Sequence, residues 1–151
     1  SPSGYLHLTA RENLEIVADL KCVPHNDIAR VLDIVQLTND QHRKVGQYSL
    51  GMKQRLGIAM ALLGSPKLLV LDEPFVGLDP KASHTLKEIM HELCGQGSAI
   101  FFSTHVLEVA EKLCNKIAII KDGRLIACGE TAAVKGSQSL EDVFLELTDD
   151  E

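Results

Sequence analysis

The chain has 151 residues, of which 45% are hydrophobic and 24% are charged, and its formal net charge at pH 7 is −6. This composition is ordinary for a globular protein, and the length suffices for one domain or for most of a larger one. There is no apolar run of the roughly 20 residues that a membrane-spanning helix needs, no signal-peptide pattern, and no block of Lys or Arg that would favour a nucleic-acid partner.

The cysteines and histidines give no indication of a zinc site. No C-x-x-C pair and no H-E-x-x-H motif occurs, and the six histidines are scattered. The four cysteines lie far apart, at Cys22, Cys94, Cys114 and Cys128. Because metal-ligand spacing is absent, we expect isolated reduced thiols in a cytosolic protein.

Two amphipathic helices are predicted at the start of the chain. Residues Thr9–Glu12 have the form of a capping box, in which the threonine caps a helix and the glutamate reaches back to it. This helix should extend to about Leu20, and after Pro24 the side chain of Asn26 can cap a second helix. The apolar face of the second helix contains Ile28, Val31, Leu32 and Val35. Nothing in either helix looks catalytic, so a packed helical hairpin is the simplest interpretation.

A third helix is predicted after a polar loop over residues 40–46. Apolar side chains recur at a helical period from Met52, and Gly64 is a natural end for the helix. At its start, Ser49 and Gly51 supply a hydroxyl, a bare backbone and unpaired N–H groups, an arrangement that can bind an anion. An ordinary serine cap followed by a loop glycine is the alternative, and the segment by itself favours that alternative.

An acidic pair follows a short apolar run. The four aliphatic residues 68–71 precede Asp72, Glu73 and Pro74, and a run of this length predicts a strand buried on both faces. In an open parallel sheet, ligands bind at the carboxyl ends of the strands, where these acids would lie. One carboxylate can hold a metal ion, and the next can act on a water molecule. The sequence therefore predicts a metal-and-base site at the end of this strand.

Helices and strands alternate after the acidic pair. Asp79 as a cap with Pro80 at the first helical position predicts the start of a helix that ends near Gly95. The remaining predicted elements are a buried strand over residues 98–103, a helix over 106–113, a strand over 117–120, a hairpin turn over 121–124, a returning strand over 125–128, and a terminal helix over 139–147 that buries Leu140, Val143, Phe144 and Leu147.

This alternation predicts an α/β fold, with a mostly parallel sheet covered by helices. The two leading helices do not fit the alternation and should form a separate lobe. We therefore divide the chain into a helical subdomain over residues 5–64, a sheet core over residues 65–129, and a C-terminal helix with an acidic tail over residues 130–151.

Four of these segments occur in an order that resembles the ATP-binding subunits of ABC transporters. Tyr48–Arg55 resembles the family's signature motif, and Leu68–Glu73 resembles its Walker B strand. Gly77–Pro80 resembles its D-loop, and His105 resembles its switch histidine. The resemblance extends from about Tyr5 to the terminal helix, and four motifs in sequence argue strongly against a chance match. It implies the C-terminal part of a P-loop NTPase of ABC type together with a helical subdomain.

The residues of the signature motif indicate one branch of the family. Tyr-Ser-Leu-Gly-Met replaces the commoner Leu-Ser-Gly-Gly-Gln, so that Ser49 and Gly51 match whereas Leu50 and Met52 do not. This variant resembles the branch that exports bacitracin, lantibiotics and similar peptides. The resemblance thus implies the ATP-hydrolysing subunit of an exporter of peptide or antibiotic-like substrates.

The resemblance also implies roles at the end of the acidic strand. Asp72 would hold Mg²⁺ directly or through water, and Glu73 would act as the general base that polarises the attacking water. His105 would hydrogen-bond the γ-phosphate of ATP or that water. ATP and Mg²⁺ are therefore the implied cofactors.

A second group of residues is implied to face another subunit. Ser49 and Gly51 would contact the nucleotide bound by the opposite subunit of a dimer, and Asp79 would carry signals across that dimer. The implied partners are a second nucleotide-binding subunit, identical or not, and transmembrane permease subunits, with no nucleic acid. The implied location is cytoplasmic, at the inner face of the cell membrane.

One part of the family's machinery is absent from this sequence. A P-loop needs the pattern G-x-x-x-x-G-K-S/T, and no glycine here is followed by Lys-Ser or Lys-Thr. In the family that loop precedes the helical lobe, so we expect a chain that begins just past the glutamine loop.

Two alternatives to a transporter subunit stay open. One is a soluble ABC ATPase without a transport role, and the other is a non-enzymatic fragment that acts by dimerisation.

We expect the chain by itself to bind MgATP weakly or not at all and to show no significant ATPase activity. The reason is that phosphate cradling supplies much of the affinity for a nucleotide, and phosphoryl transfer depends on positioning and electrostatics. Isothermal titration with MgATP checks this expectation, and binding at micromolar concentrations would contradict it.

Overall fold

The computed structural model describes residues 5–149. In this range the α-helices are α1 (Ala10–Leu20), α2 (Asp27–Ile34), α3 (Leu50–Leu62), α4 (Pro80–Gly95), α5 (Leu107–Leu113), α6 (Thr131–Lys135) and α7 (Leu140–Asp149), and two short 3-10 helices cover Thr38–Asp40 and Val45–Gln47. The strands are β1 (Leu68–Asp72), β2 (Ala99–Ser103), β3 (Lys116–Lys121) and β4 (Arg124–Glu130). Among the described helices, none has the length and apolar character needed to cross a membrane.

The chain forms two compact units, of which the first ends at Ser103 and the second begins at Thr104. The first unit contains α1 to α4 with β1 and β2, and the second contains α5 to α7 with β3 and β4. The division into residues 5–64, 65–129 and 130–151 stays a prediction.

The start of α1 follows the capping box. The hydroxyl of Thr9 accepts a hydrogen bond from the N–H of Glu12 at 3.1 Å. The Glu12 carboxylate in turn accepts one from the N–H of Thr9 at 2.8 Å. Leu14 and Ala18 on the apolar face are fully buried. The predicted first helix is therefore confirmed, because its cap depends on neighbouring residues alone.

The start of α2 differs from the prediction. Asn26 already has helical backbone angles, with φ −66° and ψ −17°, and its side chain makes no capping hydrogen bond. Backbone bonds close the first turn instead, from the N–H of Asp27 to the carbonyl of Pro24 at 3.1 Å and from Ile28 to His25 at 3.2 Å. The prediction that Asn26 caps this helix is wrong, because the turn that begins at Pro24 runs directly into the helix. The predicted apolar face is buried at Ile28, Val31, Leu32 and Val35.

The carboxyl end of α3 is held by side chains from the first two helices. The ammonium group of Lys21 donates to the carbonyl of Met60 at 2.8 Å. Arg30 pairs with Asp27, with 2.6 Å between Nε and Oδ1, and the N–H of Gly64 donates to Asp27 Oδ2 at 2.9 Å. These bonds satisfy groups that the end of a helix would otherwise leave unpaired, and they fix α3 against the helical hairpin.

The sheet of the first unit is the predicted β-α-β crossover. β1 and β2 run parallel, with Leu69 beside Ile100 and Asp72 beside Ser103. α4 connects the two strands. The parallel arrangement inferred from the strand–helix alternation is therefore confirmed for these two strands.

One face of this sheet is open. Leu69 is buried, but Val70 is 68% exposed and Phe101 on the neighbouring strand is 64% exposed. The prediction of a strand buried on both faces is therefore wrong for residues 68–71 of the described chain, and the predicted burial of the strand over residues 98–103 is wrong at Phe101. Helices of the first unit pack on one side of the strand pair, and α4 contacts β2 there, so that alternate side chains stay in contact with solvent.

The second unit is built around a hairpin. β3 pairs antiparallel with β4, with Lys116 opposite Glu130, and the turn between them has positive φ at Asp122 (+50°) and Gly123 (+75°). These angles suit the tight turns that join antiparallel strands, and they confirm the predicted hairpin. In the described residues β3 belongs to a separate two-stranded sheet with β4. The predicted strand over residues 117–120 is confirmed, but in the described residues the parallel pairing expected from the alternation is present for β1 and β2 alone.

The terminal helix of the second unit is anchored at its start. Glu111 accepts a hydrogen bond from the N–H of Leu140 at 3.0 Å and pairs with Lys135 at 2.6 Å. Leu140 is buried, whereas Leu147 is 40% exposed. The predicted helix is confirmed, but the predicted burial of Leu147 is wrong, and Val143 and Phe144 are only partly buried.

The ion pair between Asp27 and Arg30 makes the stability of the chain depend on pH. The hydrogen bond from Arg30, together with that from the Gly64 amide, lowers the pKa of the Asp27 carboxyl. A carboxyl whose pKa is depressed by folding stabilises the protein above its unfolded pKa, and this stabilisation is lost as the pH falls through the lowered folded pKa. We expect Asp27→Asn to lower the free energy of unfolding by about 1 kcal/mol near neutral pH, and the difference from the wild type to shrink in acid.

Urea unfolding near neutral pH and in acid measures this difference. Asp33→Asn is the matched control, since Asp33 lies exposed on the same helix. A stability difference for Asp27→Asn that persists unchanged in acid would contradict the assignment.

Candidate nucleotide-hydrolysis site

The acidic strand end is organised by the neighbouring strand. Asp72 is the last residue of β1 and lies beside Ser103 in the parallel register. The Ser103 hydroxyl donates a hydrogen bond to the Asp72 carboxylate and accepts one from the N–H of Glu73 at 3.0 Å. The same N–H lies 3.1 Å from the carbonyl oxygen of Ser103. One serine therefore orients the side chain of the first acid and the backbone of the second.

The backbone of Glu73 adopts an unusual conformation. Its φ is +46°, in the left-handed region that residues other than glycine seldom occupy. The chain turns here, with the N–H of Val76 donating to the Glu73 carbonyl at 3.3 Å. The turn is anchored by Phe75, whose ring meets that of Phe102 edge-on with 5.8 Å between centroids. The turn therefore places Glu73 directly beyond the end of β1.

The donor set at this strand end fits a magnesium ion. The Asp72 side chain is exposed, and the bond from Ser103 occupies only part of the acceptor capacity of its two oxygens. Magnesium usually takes one or two carboxylates from the protein and completes its shell with water and phosphate oxygens. Asp72 can supply such a carboxylate.

The start of α3 is capped by Ser49. The serine has extended backbone angles, with φ −63° and ψ 164°, and its Oγ accepts a hydrogen bond from the N–H of Met52 at 3.2 Å. Gly51 in the first turn is buried, and a Cβ at this position would lie 2.8 Å from the Cβ of Ala82. Gly51 is thus required by the close approach of α3 to α4, a structural role that the sequence did not reveal.

The start of α4 is built in the same way. Asp79 has φ −69° and ψ 167°, and its Oδ1 accepts a hydrogen bond from the N–H of Ala82 at 2.7 Å. This confirms the predicted cap, with Pro80 as the first helical residue. The preceding Gly77 has φ +72°, and a Cβ there would lie 2.8 Å from Leu50 Cδ2. The signature segment and the turn before α4 are therefore in direct contact.

The structure places the predicted site residues in two groups. The first unit contains Ser49, Gly51, Asp72, Glu73 and Asp79. His105 lies in the second unit, exposed, between Thr104 and α5. Its role beside the γ-phosphate stays a prediction.

Sequence reasoning missed three residues that support the site. The sequence pattern places Ser103 at the end of the predicted strand, and the parallel register sets it beside Asp72. Tyr48 donates its hydroxyl to the carbonyl of Asp40 at 2.5 Å, and burial raises its pKa. Arg55 donates to the carbonyl of Val35 at 3.1 Å, and burial lowers its pKa. Arg55 therefore ties α3 to the end of α2, and Tyr48 ties the segment before α3 to the turn that follows α2.

Comparisons with known proteins define the class of this chain. Residues 10–111 match a family model described as AAA domain, putative AbiEii toxin, Type IV TA system. The chain is 42% identical over 143 residues to a lantibiotic transport ATP-binding protein of Streptococcus pyogenes, covering 95% of this chain and 61% of that protein. It is 46% identical over 127 residues to a bacitracin transport ATP-binding protein of Bacillus licheniformis, covering 83% of this chain and 42% of that protein.

A solved structure of the same class of protein is similar to this chain. The ATP-binding subunit of an ABC transporter superimposes with a TM-score of 0.80 at 34% identity, over 95% of this chain and 64% of that one. The chain thus has the fold of an ABC-type ATPase domain and belongs to the family of ABC transporter ATP-binding proteins. It spans less than two thirds of the length of each of these proteins. The predicted fold class and family are confirmed.

The Ser103 hydroxyl can be tested with an isosteric pair of variants. We expect Ser103→Val to have a free energy of unfolding about 1 kcal/mol lower than Ser103→Thr, because only threonine keeps the hydroxyl that bonds Asp72 and the Glu73 amide. Chemical denaturation measures the difference. The amide resonance of Glu73 should move in the valine variant and stay near its wild-type position in the threonine variant. Equal stability with equal Glu73 resonances would contradict the assigned bonds.

Proposed function

We propose that the chain belongs to the ATP-hydrolysing subunit of an ABC exporter whose substrates are peptides or antibiotic-like molecules. The observation that carries this proposal is the end of β1, where the Ser103 hydroxyl holds both Asp72 and the backbone of Glu73. The relatives named for lantibiotic and bacitracin transport favour this class of substrate.

Asp72 and Glu73 have different roles in the proposed reaction. Asp72 holds the magnesium ion, and Glu73 accepts a proton from the water that attacks the γ-phosphate. When bound, Mg²⁺ neutralises charge that develops on the phosphate oxygens. His105 donates a hydrogen bond to the γ-phosphate or the attacking water. The strained turn at Glu73 fixes the base relative to the metal-holding carboxylate, and such positioning is the main source of catalysis in phosphoryl transfer.

Ser49 contacts a different nucleotide, which is bound by a partner subunit. Its oxygen accepts the N–H of Met52, so the hydroxyl hydrogen is available to donate to a phosphate oxygen. The N-terminus of α3 adds the positive end of a helix dipole, and the bare backbone of Gly51 belongs to the same turn. Asp79, whose Oδ1 caps α4, signals across the dimer whether the start of α3 has contacted the partner's nucleotide.

These roles define the partners and the location that we propose. A second nucleotide-binding subunit that carries a P-loop supplies the ATP on which the start of α3 acts. Transmembrane permease subunits select the substrate and hold the complex at the cytoplasmic face of the membrane. The chain by itself has no P-loop motif, so its own acids do not act on ATP without a phosphate cradle.

The role of Ser49 can be separated from its capping role. Aspartate caps helices as well as serine does, but its negative charge repels a phosphate. We expect Ser49→Asp to keep the thermal stability of the chain and to abolish ATP-dependent association with a P-loop-bearing subunit. A full-length relative such as the Streptococcus pyogenes protein is a suitable partner, and sedimentation velocity with and without MgATP measures association.

Ser49→Thr is the matched control, because threonine keeps both the cap and the neutral hydroxyl. It should associate as the wild type does. Association of Ser49→Asp with undiminished affinity would refute the proposed contact between α3 and the partner's nucleotide.

A further inference from the structure

Two helix starts meet in the first unit, and a half-exposed leucine lies between them. The caps of α3 and α4 have nearly the same backbone geometry, and each accepts a hydrogen bond from the residue three positions on. Leu50, directly after the Ser49 cap, is 49% exposed. A leucine exposed to this extent adds little to the core, so its contacts with the turn before α4 call for another explanation.

The contacts of Leu50 fall on a turn that has no room for a side chain. Gly77 has φ +72°, and a Cβ there would lie 2.8 Å from Leu50 Cδ2, closer than carbon atoms approach without contact strain. One residue further along α3, a Cβ at Gly51 would lie 2.8 Å from the Cβ of Ala82 and 3.9 Å from Leu78 Cδ2. The starts of α3 and α4 therefore touch along two adjacent residues, with a glycine on one side of each contact.

We infer that Leu50 is a positioning residue, which holds the turn over residues 77–79 so that Asp79 keeps a fixed place relative to Ser49. The packed glycine contacts make the two caps one rigid surface, so a displacement at Ser49 is passed to Asp79 within the same chain. The functional meaning of this coupling rests on the proposed function, in which Ser49 and Asp79 face a partner subunit. The contact between Leu50 and the turn is independent of the proposed function.

Amide hydrogen exchange of the whole chain tests the inference without nucleotide or partner. The N–H of Ala82 reports the Asp79 cap, and the N–H of Glu12 reports the remote Thr9 cap. We expect Leu50→Ala to speed exchange at Ala82 about fivefold or more while exchange at Glu12 stays unchanged, because the loss is local to one cap. Leu50→Met, which restores a flexible apolar side chain of similar length, should bring Ala82 back toward the wild-type rate.

Two further variants complete the design. Leu145→Ala removes a leucine of matched exposure, 47%, from the second unit and should leave Ala82 unchanged. Gly77→Ala should speed exchange at Ala82 more in the wild-type background than in the Leu50→Ala background, because the clash with Leu50 is then absent and only the backbone strain is left.

The outcomes distinguish this inference from the proposed function. Unchanged exchange at Ala82 in Leu50→Ala, or an equal rise at Ala82 and Glu12, would overturn the positioning role. Loss of ATP-dependent association in Ser49→Asp bears on the proposed function alone, since the exchange experiment contains neither ATP nor a second subunit.

Discussion

The hydrogen bonds of the Ser103 hydroxyl depend on the parallel register of β1 and β2. In this register Asp72 lies beside Ser103, and the strand ends coincide. A slip of one residue would turn the serine to the other face of the sheet and remove both bonds at once. The crossover through α4 makes the two strands parallel. The pairing of Asp72 with Ser103 within this parallel pair then brings the acidic pair to the hydroxyl.

The same crossover helix links the acidic pair to the start of α3. α4 begins at the cap Asp79, a few residues after the turn at Glu73, and its first turn packs against Gly51. Groups proposed to serve two different nucleotides are therefore joined through one short segment of a single unit. The two glycines allow this close packing, because a side chain added at Gly51 or Gly77 would collide with its neighbour.

Features that depend on neighbours in sequence were predictable. The capping box at Thr9 and Glu12 and the cap at Asp79 have the predicted bonds, because a cap needs only the residues of one turn. Asn26 shows the limit of this approach, since the backbone turn from Pro24 competes with the side chain and replaces it. The hairpin at Asp122 and Gly123 was also predictable from local turn chemistry.

Features that depend on tertiary contact were not predictable. Val70 lies in an apolar run that reads as a buried strand, but burial is decided by which elements cover the sheet, and sequence pattern does not contain that information. Ser103 acquires its role only when the strands pair, and Gly51 only when α3 meets α4. Recognition of the family needed just the order of four short motifs, which is why it succeeded while these contacts were missed.

The proposed contact between the start of α3 and ATP held by another subunit can be measured by paramagnetic relaxation. The isotope-labelled chain is mixed with a P-loop-bearing subunit that is loaded with ATP and Mn²⁺ in place of Mg²⁺. We expect the amide signals of residues 49–52 to broaden most, and only when the partner is present. Broadening that spares residues 49–52, or that reaches them with MnATP and no partner, would contradict the proposed contact.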